Sequence, residues 1–155
     1  MDLYKAPDAQ VSLPAETPSR PVRGIVLGAV ADLVVSTLLF IVYALVMGIY
    51  MANQGATENQ IAQFFMSFEQ SGSSMIASYV IGGTGSALGG YISARYSRVH
   101  EYRYGSVLVL IMASLSVFFE SDVRLLASGV ALTCIATYAG IYWGVLRNAQ
   151  DAGGS

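Results

Sequence analysis

Residues 24–51 read GIVLGAVADLVVSTLLFIVYALVMGIYM, an apolar run broken by a single charge, Asp32. A run this long with almost no charge predicts a membrane-spanning helix. At about 1.5 Å of rise per residue it measures about 42 Å, against a hydrocarbon layer of about 30 Å, so it must tilt or project beyond the layer. An Asp within it costs about 2.5–3.5 kcal/mol on insertion scales and is therefore expected to face a cavity or a neighbouring helix rather than lipid.

Three further apolar runs follow, at about 74–94, 104–119 and 125–146. The run at 104–119 is short, about 16 residues, and needs Arg103 and Glu120 to snorkel or a partner helix to shield it. The expected fold is all-α, an integral membrane four-helix bundle. Composition agrees: the 155 residues are 54% hydrophobic and 12% charged, with a mean hydropathy of +0.55, whereas soluble domains carry roughly 25% charged residues. One cysteine, Cys134, excludes an intrachain disulfide, and one histidine, His100, leaves no His/Cys metal cluster. Neither a metal nor any other cofactor is expected.

The polar segment 1–23 holds all 4 prolines, Pro7, Pro14, Pro18 and Pro21. It is expected to form a flexible cytoplasmic tail, as are residues 148–155 at the other end. Asp2 and the lack of an early apolar core argue against a cleaved signal peptide, which leaves the first span as an uncleaved anchor.

Charge sets the expected orientation. Lys5, Arg20 and Arg23 precede the first span, Arg95, Arg98 and Arg103 lie between the second and third, and Arg147 follows the fourth; Arg124 alone falls on the opposite side. By the positive-inside rule both termini and the middle loop face the cytoplasm, as in a multi-pass protein of a cell inner membrane. Aromatic residues gather at the same boundaries: Tyr91, Tyr96, Tyr102, Tyr104, Tyr142 and Trp143 at the inner one, Tyr50, Phe118 and Phe119 at the outer.

The outer connection has a pattern of its own. Thr57 and Gln60 have capping-box spacing, and Ile61, Phe64, Phe65 and Phe68 then fall on one helical face. A short amphipathic helix is expected there, either an interfacial anchor or a lid over the bundle.

Small residues mark where helices approach. Ser78, Gly82, Ser86 and Gly90 recur every four residues in the second span beside Gly85 and Gly89, and Gly140 and Gly144 form a Gly-x-x-x-Gly pair in the fourth after Gly129, Thr133 and Thr137. The expected packing set is Gly82, Gly85, Ser86, Gly89, Gly90, Gly140 and Gly144. Although Gly83, Gly85 and Gly89 loosely resemble a dinucleotide loop, no strand precedes them.

Gly24, Gly28, Asp32 and Ser36 form another four-residue stripe, with Tyr43 near its continuation. Asp32, Ser36 and Tyr43 are the candidate intramembrane polar site. No Lys, Arg or His lies inside a span, so Asp32 must be protonated, bonded to hydroxyls, wetted from an inner vestibule, or reached by Arg95 or Arg147. The loop with Arg95, Arg98 and Arg103 is a candidate interface for an anionic lipid head group or a partner's acidic segment, though orientation alone also requires its charge.

Tyr4-Lys5-Ala6-Pro7, Asp32 and the Gly89-Gly90-Tyr91-Ile92-Ser93-Ala94-Arg95 ending of the second span resemble small uncharacterised bacterial multi-pass inner-membrane proteins, a likeness that implies a location without a mechanism. The chain more distantly resembles small multidrug-resistance transporters, in which Asp32 and the Gly140/Gly144 pair would correspond to the acidic residue of the first span and the dimer contact of the last. It departs from them by an Asp in place of Glu, by the outer amphipathic segment and by its one-sided charge.

The functional expectation is a noncatalytic membrane protein, an assembly, scaffold or accessory subunit. The alternative is a small proton-coupled transporter using Asp32. No cluster of titratable residues suited to catalysis can be assembled in one layer. The expected partners are the lipid bilayer and a second copy or another membrane protein, met through small-residue helix faces; nucleic acid is not expected.

Overall fold

The computed structural model describes residues 21–67, 72–97, 100–119 and 122–153. Among them the chain is all-helical: α1 (Pro21–Asn53), α2 (Glu58–Met66), α3 (Gly72–Ser97), α4 (Glu101–Phe119) and α5 (Val123–Gly153). Two helical stretches, Val22–Asn53 and Val123–Gly153, are long and apolar enough to cross a membrane. Residues 1–20 of the tail expected at 1–23, together with Phe68 and Arg98, lie outside the described residues.

Local chemistry sets the helix ends. Gly55, at φ 83°, takes the left-handed conformation that closes α1. The Ala56 N–H donates to Met51 O at 3.1 Å and that of Gly55 to Ala52 O at 3.0 Å, a Schellman closure that satisfies two terminal carbonyls. At the start of α2, Gln60 Oε1 accepts from the Thr57 N–H at 2.8 Å, as the capping-box spacing predicts. Between α3 and α4 the turn passes through His100 at φ 54°, a non-glycine residue in the left-handed region.

Helix α3 is the centre of the arrangement. It packs along α1 on one side and α5 on the other, while α4 closes against α5, α3 and α1. Helices α1 and α3 run antiparallel, with Gly24 beside Ser97 and Asp32 beside Gly85, whereas α3 and α5 run parallel, with Gly90 beside Thr137 and Ala94 beside Gly144.

The core occupies one end. Gly24, Gly28 and Asp32 of α1, Gly85 to Ser97 at intervals in α3, Leu108 of α4 and Ile141 of α5 are buried. Toward the other end the packing is looser, and a side chain added at Gly48, Gly82 or Gly129 would meet nothing within 4 Å, although Ser74 is buried there. A cavity of about 410 Å³ opens there, lined from four helices by residues including Leu33, Tyr79, Met112 and Leu126. Among the described residues helix α2 contacts α1 alone and has no buried residue; its Phe64 and Phe65 rings meet edge to face, centroids 5.3 Å apart.

The helices extend past the expected apolar runs, α3 over Gly72–Ser97 rather than 74–94 and α4 from Glu101 rather than 104. Helix α1 begins at Pro21 rather than at 24, since proline at a first turn lacks only an N–H that would have no partner there. Residues 148–153, expected in a flexible tail, continue α5, whose last turns are tied to α3.

Candidate functional site

The α1–α3 crossing is built from residues with almost no side chain. A Cβ on Gly28 would lie 2.7 Å from Gly89 O, and one on Gly24 would lie 2.9 Å from Ser93 O. Such backbone proximity is possible only where both helices present small residues.

Asp32 sits in this crossing and is 4% exposed. Its Oδ1 accepts from Ser36 Oγ at 3.2 Å, one turn along α1. Its Oδ2 accepts from Ser86 Oγ at 3.1 Å, across on α3. Gly85 and Gly89 make the niche: a Cβ at Gly89 would lie 3.1 Å from Asp32 Cβ, and one at Gly85 would strike Ser36 Oγ and the Asp32 carboxylate. Both carboxyl oxygens of Asp32 therefore have hydroxyl partners, which offsets the cost of burying them.

Ser36 belongs to the site as the spacing implied. Tyr43 does not: eleven residues beyond Asp32 on the same helix, it stands about 16 Å along the axis and lines a separate gap with Val42, Val46 and Ile81. Ser86, expected only as a packing residue, supplies the bond between helices.

Gly85, Gly89, Gly90, Gly140 and Gly144 all lie at helix crossings within the chain. A Cβ at Gly90 would overlap Thr137 O, one at Gly140 would overlap Ala87 O, and one at Gly144 would lie 2.7 Å from Ala94 Cβ. Gly82 is the exception, open on all sides within 4 Å. Seven residues before Gly89, and so within about 20° of its direction on a helix of about 100° per residue, Gly82 shares the face that meets α1 at Gly28 but lies two turns beyond that close approach.

Arg95 is not a loop residue. It lies in the last turn of α3 and donates to Asp151 Oδ2 at 2.6 Å and Asn148 Oδ1 at 3.0 Å. Asn148 Nδ2 in turn donates to Ala94 O at 3.1 Å. The bond to Asp151 raises the Arg95 guanidinium above its ordinary pKa, outweighing a smaller desolvation effect. Arg103 is exposed at the start of α4.

Two further ties were missed from sequence. Tyr79 Oη pairs with Ser128 Oγ between α3 and α5, and Tyr138 Oη with Ser106 Oγ at 2.7 Å between α5 and α4. Both tyrosines fall inside apolar runs, away from either aromatic boundary, and that position was the available signal.

Among the described residues no three His, Cys, Asp or Glu side chains gather in a group able to hold a metal ion. Comparison with protein-family models, curated proteins and solved structures finds no match in any of the three.

Proposed function

We propose that this chain is a four-span, multi-pass protein of a cell inner membrane, noncatalytic, acting as a scaffold, assembly or accessory subunit. The apolar stretch of α1 supports the membrane setting: only 11% of it is buried, whereas the core helix of a soluble protein is mostly enclosed. Leu38, Val42, Leu45 and Ile49 are all more than half exposed, a surface suited to lipid or to a partner helix. A signal sequence awaiting cleavage would have no need of the Gly28–Gly89 and Asp32–Ser86 contacts, which bind α1 into the fold. Helix α3, with its many Gly and Ser residues, is flanked by α1 and α5, and α4 at 19 residues reaches about 28 Å, close to one hydrocarbon thickness.

The observation that carries the scaffold reading is the placement of Asp32. Its oxygens are taken up by Ser36 and Ser86 inside a backbone-tight crossing, and it lines neither the four-helix cavity nor the gap beside Tyr43. It acts as a polar clamp between α1 and α3. Because Gly85, Gly89, Gly90, Gly140 and Gly144 are used in contacts within the chain, a partner meets the exposed apolar faces of α1 and α5. In-membrane crosslinking of the tagged protein, followed by mass spectrometry, tests this: a stoichiometric heterologous partner is the expected result.

One observation favours transport as the second reading. The donors to Asp32 are neutral hydroxyls, so its protonation breaks no ion pair with them. A lone homo-oligomer whose proton-linked activity disappears in Asp32→Asn would replace the scaffold reading.

A further inference from the structure

We propose that the groove between α3 and α5 binds one anionic phospholipid, an acyl chain lying along it and the phosphate at Arg147. The inference rests on the membrane reading above. The groove encloses about 870 Å³, within the range of built ligand sites. Its apolar length exists because Gly83, Ala87 and Ala139 present little or no side chain between the two helices, with Leu132 facing Gly83. From Leu132 to Arg147 the wall runs about 22 Å, more than the roughly 15 Å of one hydrocarbon leaflet.

Chemistry changes at one end. Tyr91, Trp143 and Arg147 close the groove at the level where Arg95 meets Asp151. Arg147 is exposed and makes no hydrogen bond or ion pair among the described residues, while Arg95 nearby is neutralised by Asp151. An uncompensated guanidinium at the mouth of an apolar trough, beside an indole 69% exposed, complements a lipid phosphate above its own acyl chain. In the proposed orientation this end faces the cytoplasmic leaflet, where anionic lipids provide that charge. A second copy is a poorer occupant, because a two-fold contact through the groove sets two Arg147 side chains at one depth.

The test uses the full chain, first located by alkaline washing of membranes. Failure to remain in the washed pellet would refute the membrane reading before any lipid is added. Retained protein, purified in detergent, is titrated with phosphatidylglycerol or phosphatidylcholine of identical acyl chains and observed by native mass spectrometry. One phosphatidylglycerol per protomer should bind at a roughly fivefold lower concentration than phosphatidylcholine, the size of one arginine's attraction to anionic lipid. Arg147→Gln should erase that preference, Ala139→Trp should weaken both lipids by filling the groove, and Arg103→Gln should change neither. Circular dichroism matching wild type confirms that each variant is folded; should Ala139→Trp not fold, Arg147→Gln alone decides. Equal retention of the two lipids, no retention, or a preference that survives Arg147→Gln would overturn the proposal. So would a dimer that is lost in Ala139→Trp without lipid preference, which assigns the groove to a second copy.

Discussion

Gly28 and Gly89 face each other reciprocally: a Cβ on either would lie 2.7 Å from the carbonyl oxygen of the other. Neither helix can retreat alone, because Asp32 one turn further along α1 is bonded to Ser86 on α3. The contact is thus both steric and polar.

Gly89→Leu should therefore destabilise the protein by about 1–3 kcal/mol or more through overpacking. Gly82→Leu, in open space, should leave stability within about 0.5 kcal/mol. Thermal unfolding in detergent compares them, and equal losses would show that the α1–α3 crossing is not where the structure places it.

Ser86→Ala should cost about 1–3 kcal/mol, since it strips the donor from a buried carboxylate oxygen. Asp32→Asn should fold normally, because the amide retains an acceptor and adds donors that a serine hydroxyl can receive. In a double-mutant cycle the cost of Ser86→Ala should shrink when it is made together with Asp32→Asn. An unchanged cost would mean that the two side chains are not coupled.

Single cysteines at Asn59, His100 and Ala152 should report the proposed topology, all three positions being exposed. Asn59 is expected to label from outside, and His100 and Ala152 only after permeabilisation. External labelling at His100 would invert or dismantle the four-span arrangement.

Arg95→Ala and Asp151→Ala should each be mild. Their side chains are 31% and 54% exposed, and exposed ion pairs contribute about 0.2–1 kcal/mol. The coupling between them should fall as salt is raised. A salt-independent coupling would indicate that this end of α5 is more enclosed than its exposure implies.

Different parts of this architecture were legible in sequence to different degrees. The helical runs, the capping pair Thr57 and Gln60, and the Asp32–Ser36 stripe are local patterns that the chain displays within a few residues. Ser86 was unreadable as the Asp32 partner because the pairing depends on the depth at which α1 crosses α3. The same missing information misplaced Gly82, which shares its four-residue spacing with Ser86 and Gly90 and nearly the direction of Gly89 but lies beyond the depth at which α1 and α3 touch. Arg95 looked like loop charge because its acceptor, Asp151, lies beyond the apparent end of the last span. Tyr43 looked adjacent to Asp32 by stripe, yet translation along the axis separates them.

The one-sided core has a mechanical consequence. With α1, α3 and α5 packed through glycine crossings at one end and set around an approximately 410 Å³ cavity at the other, where Tyr79 still ties α3 to Ser128 of α5, α1 resembles one tine of a fork joined to the others at the handle. Force or occupancy applied at its free tip bends that tine, and the lever arm ends where the backbones touch. Spacing between α1 and α3 can thus change at the level of Gly48 while Asp32 keeps both of its serines.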